Sequence, residues 1–314
     1  MRIGRYTNLG VLILVNLLWA GQYPAYKIAV EHMSPAALNF WTLLFATAVL
    51  LPFRRVSHRW EPVPDSKLDR RAAVDFLLLG VFGILPPSLL LSWGIEHSTA
   101  GNAAIIQLTI PVLMALLAVL LLGERITRLR VASLAIALCG TVLTAKQEFA
   151  GAGVDPKLLV GNAVIFVSGL GSAFFNTYSK RVLARFGGLS VLIYTYMVAC
   201  LSCAGVSLLV DDVPFYSVGG HPMVLWLSVA ALGTLTWGIA MVLWMWVLGR
   251  LEAMQVSTSV YMLPIFGVML SALVVGERVT LPQAAGGLLV FAGTFLTSEY
   301  ESRRTARATA VTEV

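Results

Sequence analysis

The chain alternates long apolar runs with short polar breaks from near its first residue to near its last. The runs occupy 8–30, 36–53, 72–95, 99–122, 128–145, 158–183, 189–210, 223–248, 253–275 and 281–299. Each is about as long as an α-helix must be to cross a hydrocarbon core of about 30 Å. The pattern predicts an all-α membrane protein with ten transmembrane helices. Most breaks are too short to hold another domain, and the longest, Arg54–Arg71, is a polar linker carrying Pro62 and Pro64. Leu9–Ala20 behind Arg2 and Arg5 has the form of a signal-peptide core. That run continues to Val30 and matches a later segment, so it is read as a retained first helix.

The later match is part of an internal repeat. Leu122-Gly-Glu-Arg-Ile-Thr127 returns as Val275-Gly-Glu-Arg-Val-Thr280, an offset of 153 positions. The same offset carries Lys27 onto Lys180, Trp93 onto Trp246, Pro111 onto Pro264 and Gly140-Thr141 onto Gly293-Thr294. A constant offset over so long a stretch means that neither copy has a net insertion. The predicted units are 8–145 and 158–299, five helices each, followed by a tail at 300–314. Five is odd, so the second copy enters the bilayer from the opposite side and the repeats have inverted topology. Charge supports this independently. With both termini cytoplasmic, all but Lys27, Lys146, Lys157 and Arg278 of the 22 Lys and Arg fall in inside segments.

Composition agrees with a lipid-facing surface. The chain is 58% hydrophobic and 12% charged, with mean hydropathy +0.83, where soluble domains carry about 25% charged residues. The net charge of +6 sits in short clusters between apolar runs, which is a topology signal and not a nucleic-acid face. Cys139, Cys200 and Cys203 all lie in apolar segments. The Cys200–Cys203 pair has no second pair or nearby His to complete a metal site, so these cysteines read as small buried fillers. No motif calls for a cofactor, a metal or a catalytic residue, and the four His fall in loops. Gly169-Leu-Gly171 is no nucleotide loop, since no strand precedes it; such glycines let helices approach closely.

Asn16-Leu-Leu-Trp19-Ala-Gly opens the first copy, and paired Pro-x11-Gly-Glu-Arg-x-Thr runs span Pro111–Thr127 and Pro264–Thr280. With these residues the chain resembles the EamA family of the drug/metabolite transporter superfamily. The resemblance implies ten helices, a central cavity shared by the two halves, and alternating access. It also implies substrates such as amino acids, metabolites or toxic small compounds, often exported. One departure is visible. Many relatives carry an Arg in the second helix, whereas Asn39-Phe-Trp-Thr-Leu-Leu-Phe-Ala46 has none.

Candidate lining residues follow from what hydrocarbon forbids. Proline removes a backbone donor and frees the carbonyl four residues earlier. Pro111, Pro264 and the pair Pro86-Pro87 fall near mid-helix, and Pro24 lies past the middle of the first helix. Polar side chains within helices must face protein or water. Gln22, Tyr23 and Tyr26 lie in helix one, Trp93 in helix three, and Asn102 and Gln107 in helix four. Asn176 and Tyr178 lie in helix six, Trp237, Trp244 and Trp246 in helix eight, and Gln255 and Tyr261 in helix nine. Amide and aromatic groups of this kind suit a zwitterionic or aromatic solute. Lys27 and Lys180, near helix ends on opposite faces, are candidates for gating or for attracting an anion, against simple snorkelling to water. Glu124 and Glu277 are expected to form structural turns before Thr127 and Thr280, which are good N-caps.

No Asp or Glu falls near the middle of a helix, which disfavours a buried acidic proton relay. The expected function is a secondary carrier for a small metabolite such as an amino acid, in a bacterial-type plasma membrane and possible as a homodimer. A nucleotide-sugar or phosphorylated-metabolite carrier is the alternative, and a membrane-embedded enzyme or a non-transporting scaffold lies further off.

Overall fold

The computed structural model describes residues 2–57, 68–122, 156–248 and 262–293, together with residues 128, 131–132, 135–136, 139–140, 143 and 295. Every regular element among them is helical. In chain order these are α1 (Arg2–Ala20), α2 (Gln22–Ala29), α3 (Pro35–Ser57), α4 (Arg70–Leu78), α5 (Leu91–Glu96), α6 (Ala100–Ile106) and α7 (Ile110–Leu122). After them come α8 (Pro156–Phe186), α9 (Gly188–Val210), α10 (Met223–Ala231), α11 (Met241–Leu248), α12 (Met262–Val275) and α13 (Leu281–Gly293). Among the described residues, five helices are long and apolar enough to cross a membrane: Pro35–Arg54, Arg70–Glu96, Pro156–Leu183, Gly188–Val210 and Met223–Trp244. Ala100–Met114, Ile265–Val275 and Leu281–Gly293 are shorter apolar helices. The rest of the expected runs at 128–145, 253–275 and 281–299 lies outside the described residues.

Several rods are irregular where proline disturbs the ladder. Pro24 removes the donor that would have reached Ala20, and the rod breaks at Gly21, between α1 and α2. Ahead of Pro111 the helix tightens to a 3₁₀ turn over Gln107–Thr109. Around Pro86-Pro87 it widens to π-helix, over Leu79–Ile84 and Pro86–Leu90. Another π-helix covers Leu232–Ala240 between α10 and α11. The repeat offset carries Leu79 onto Leu232, yet the second segment contains no proline.

What the π stretches at Leu79–Ile84 and Leu232–Ala240 share is a glycine against a neighbouring helix. A Cβ at Gly80 would stand 2.5 Å from Val198 Cβ and 3.0 Å from the Thr195 carbonyl oxygen, both on α9. A Cβ at Gly233 would stand 2.6 Å from Phe45 Cβ and 2.7 Å from the Thr42 carbonyl oxygen, both on α3. The offset relates Gly80 to Gly233, Thr42 to Thr195 and Phe45 to Val198. Each copy's glycine therefore receives the equivalent helix of the other copy. Small residues at such crossings let backbones approach in an apolar medium, where van der Waals contact drives helix association.

Among the described residues two large apolar clusters and a small third one around Ile105, Leu108 and Val290 fill the interior. One large cluster gathers Tyr23, Tyr26, Leu38, Ile95, Ala104, Ile165 and Leu232. The other gathers Leu43, Phe76, Leu79, Val182, Val191, Tyr196 and Trp237, and the half-buried Trp19 packs against both. The outer surface is apolar as well: Leu209 is 86% exposed, Leu273 75% and Leu201 71%. Such a surface is stable against lipid and a liability in water.

Candidate functional site

Helix α2 brings its polar side chains against both halves of the chain. Tyr26 is fully buried; its hydroxyl donates to Asn39 Oδ1 at 3.0 Å and accepts from the Trp237 indole N–H at 3.2 Å. Asn39 completes its valences by donating to the Pro35 carbonyl at 2.8 Å and to Ser92 Oγ at 2.7 Å. The Trp237 carbonyl accepts from the Tyr196 hydroxyl at 3.0 Å, and the two rings meet edge to face at 5.7 Å. The chain Tyr196–Trp237–Tyr26–Asn39–Ser92 thus ties α2, α3, α5 and α9 to the π segment before α11. Buried polar groups with complete partners fix a unique packing.

Tyr23 differs. It is fully buried, its hydroxyl has no hydrogen-bond partner among the described residues, and its ring lies 3.1 Å from where a Cβ on Gly267 would stand. Ala104 Cβ lies 2.5 Å from that same point, so α2, α6 and α12 converge there. Asn16 Oδ1 and Thr42 Oγ1 are also buried without a partner among the described residues. A buried polar atom left unpaired costs about 1–3 kcal/mol.

The other predicted residues are distributed around this centre. Gln107 donates to Ser168 Oγ at 2.8 Å, joining the 3₁₀ turn to α8. Asn102 Oδ1 accepts from Gln283 Nε2 at 3.0 Å. Asn176 turns back to the Ser172 carbonyl of its own helix at 2.8 Å. Tyr178 is at the far end of the bundle, donating to Asp75 Oδ1 at 2.8 Å, stacked on Phe174 at 5.1 Å and covered by the Arg181 guanidinium. Trp93 stacks on His97 at 4.1 Å, and Trp244 tilts against Trp19 at 4.9 Å. Gln22 is half-buried. The structure therefore joins Tyr26 directly to Trp237 and leaves Trp93 and Tyr178 near opposite ends. Gln255 and Tyr261, and the side chains of Lys180 and Trp246, lie outside the described residues.

Lys27 takes up one of the positions that sequence reasoning left open, and Glu277 reaches beyond the structural turn expected of it. Lys27 Nζ donates to the Ile95 carbonyl at 3.0 Å and the Ser98 carbonyl at 2.6 Å. Gly276, at φ 70°, makes the left-handed turn that ends α12, a conformation glycine adopts without strain. Glu277 follows it, and its two carboxylate oxygens each accept a backbone N–H, from Ala100 and Gly101, both at 2.8 Å. Thr280 then caps α13, accepting from the Gln283 N–H at 3.4 Å. Asn39 and Tyr196 were missed as partners of Tyr26 and Trp237. A polar residue in an apolar run was a usable signal for Asn39, while Tyr196 read as one more aromatic.

Among the described residues no group of three or more His, Cys, Asp or Glu side chains could hold a metal. Outside the helices, Asp69 caps α4 by accepting the Ala72 N–H at 2.7 Å and pairs with Arg185 at 3.1 Å. These two contacts, the backbone bond first, hold its carboxyl below the ordinary value.

Residues 8–146 and 159–299 each match the family model described as the EamA-like transporter family. A protein of Streptantibioticus cattleyicolor named "Probable terminal-alkyne amino-acid exporter" is 27% identical, over 91% of both chains. An uncharacterized inner membrane transporter of Salmonella typhimurium is also 27% identical, over 96% of this chain and 99% of its own. An uncharacterized transporter of Bacillus subtilis is 21% identical over 93% and 97%. A solved crystal structure with 20% identity superposes with a TM-score of 0.64, covering 95% of this chain and 98% of that one, and so shares the fold.

Proposed function

This chain belongs to the EamA-like transporter family, and on that premise we propose that it carries an amino acid or similar zwitterionic metabolite across a bacterial-type plasma membrane. In this reading ten helices form two inverted five-helix repeats, both termini are cytoplasmic, and the substrate moves by alternating access. The observation that carries the architecture is the reciprocal glycine contact. Gly80 against Thr195 and Gly233 against Thr42 is the pairing a two-fold axis in the membrane plane would produce.

The substrate class rests on the chemistry of the polar groups. Tyr23, Tyr26, Gln107, Asn102 and Trp237 offer hydroxyl, amide and indole groups within an apolar shell, suited to a small solute held by hydrogen bonds and ring contacts. The amino-acid exporter among the relatives supports the same class. A phosphate ester would call for several cavity cations, and only Lys27 and Lys180 are candidates for that part.

The test is counterflow of labelled amino acids into proteoliposomes holding the purified protein. Saturable uptake that ignores an imposed pH gradient is expected. Uptake that follows the gradient and stops with a protonophore would contradict the uncoupled reading. No counterflow with any amino acid would remove the substrate class.

A further inference from the structure

The hairpin that joins α5 to α6 is gripped on both strands by charged side chains from elsewhere in the chain. Lys27, on α2, sets its ammonium on the carbonyls of Ile95 and Ser98. Glu277, from the turn after α12, sets its carboxylate on the N–H groups of Ala100 and Gly101. Both charges have the sign that the helix ends favour: a cation where α5 ends and an anion where α6 begins. Two neutral bonds reinforce them. Ser98 Oγ donates to Asn162 Oδ1 on α8 at 2.5 Å, and Gln283 on α13 donates to Asn102. Three of the four gripping residues belong to the second repeat, while the hairpin belongs to the first.

We propose that Lys27 and Glu277 form a clasp that holds the outer mouth of the carrier shut by pinning this hairpin. The proposal rests on the alternating-access reading above and adds the residues that control one face. Beneath the hairpin, Tyr23 is sealed with its hydroxyl unpaired, and Ala104 is pressed against Gly267. Swinging α6 away from α12 would wet that hydroxyl and part Ala104 from Gly267, so water pulls toward the open form and the clasp opposes it. The repeat supplies a separate argument. Lys180 and Glu124 stand at the equivalent positions, 153 residues away; their contacts lie outside the described residues. A Lys and a Glu kept in both copies, among few other polar matches, fit a device that each copy carries.

The experiment uses the full chain with Cys139, Cys200 and Cys203 replaced by Ala and a reporter thiol introduced as Ala104→Cys. Labelling by a membrane-impermeant maleimide is timed in intact cells. Glu277→Gln and Lys27→Met should each raise the labelling rate by about tenfold, the shift that about 1.4 kcal/mol gives a two-state equilibrium. Glu124→Gln should leave it at or below the parent rate. The clasp is overturned if monodisperse Glu277→Gln and Lys27→Met label at the parent rate, or if Glu124→Gln raises it equally. Should one variant fail to fold, the other decides. Counterflow by the parent protein tests the carrier reading separately: faster labelling without any flux would keep the clasp and remove the amino-acid substrate.

Discussion

Replacing Gly80, Gly233 and Gly205 one at a time by Ala applies the same chemical change to three helices with three different surroundings. At Gly233 the new methyl would meet Phe45 Cβ at 2.6 Å and the Thr42 carbonyl oxygen at 2.7 Å, and a backbone carbonyl cannot rotate aside. At Gly80 the nearest atoms are Val198 Cβ and Cγ1, both at 2.5 Å, with the Thr195 oxygen at 3.0 Å. At Gly205 nothing among the described residues lies within 4 Å. Overpacking costs about 1–3 kcal/mol, and Ala recovers up to about 1 kcal/mol of helix propensity over Gly. The net expectation is a loss of about 2 kcal/mol for Gly233→Ala and a smaller loss for Gly80→Ala. Gly205→Ala should gain a few tenths to about 1 kcal/mol. Thermal unfolding in lipid nanodiscs, followed by tryptophan fluorescence, reads the order. The two repeat-equivalent glycines must fall on the same side of the parent and Gly205 on the other. A Gly80→Ala or Gly233→Ala protein as stable as the parent would refute the reciprocal packing, and with it the carrying argument for inverted repeats.

Three further outcomes follow from the site. Tyr23→Phe removes a buried hydroxyl that lacks a partner, so it should stabilise the protein by about 1–3 kcal/mol in thermal unfolding; if that hydroxyl serves the substrate, counterflow will fall in the same variant. Asn39→Leu removes the acceptor of the Tyr26 hydroxyl and the amide that donates to Ser92 Oγ, leaving the first only its bond from Trp237 and the second only its bond to the Leu89 carbonyl; it should lower stability by about 1–3 kcal/mol, seen as an earlier melting transition. Asp69 has a carboxyl whose value is depressed in the folded chain, so its contribution is present above its unfolded value and lost as pH falls through its folded value. The melting difference between the parent and Asp69→Asn should therefore be steady near neutral pH and close in the acid range below the ordinary carboxylate value; a difference that persists there would count against the Ala72 and Arg185 contacts.

Much of the fold was legible because hydrocarbon leaves the sequence little choice. The predicted 36–53, 189–210 and 223–248 lie within about two to four residues of α3, α9 and the rod that ends with α11, the usual uncertainty of helix ends. The helix predicted over 158–183 runs from Pro156 to Phe186, since Pro suits a first turn and Gly187, at φ 71°, ends it. Proline positions marked the breaks at Gly21 and Gln107–Thr109 in advance. The π-helix at Leu232–Ala240 was not marked, because that segment holds no proline, whereas the feature it shares with its counterpart near Pro86 is a glycine whose partner lies far along the chain. Side-chain partners were harder still. The neighbours of Glu277 in sequence suffice to predict a local turn, while the N–H groups it accepts are those of Ala100 and Gly101. Nothing in local spacing announces a contact across more than half the chain.

The reciprocal crossing also says something about ancestry. Gly80 seats against Thr195 and Val198, and the first copy owns the matching Thr42 and Phe45. A gene encoding only the first copy would thus specify both the notch and the ridge that fills it. Two identical products, one flipped relative to the other, could mate through them before fusion joined the pair into a single polypeptide.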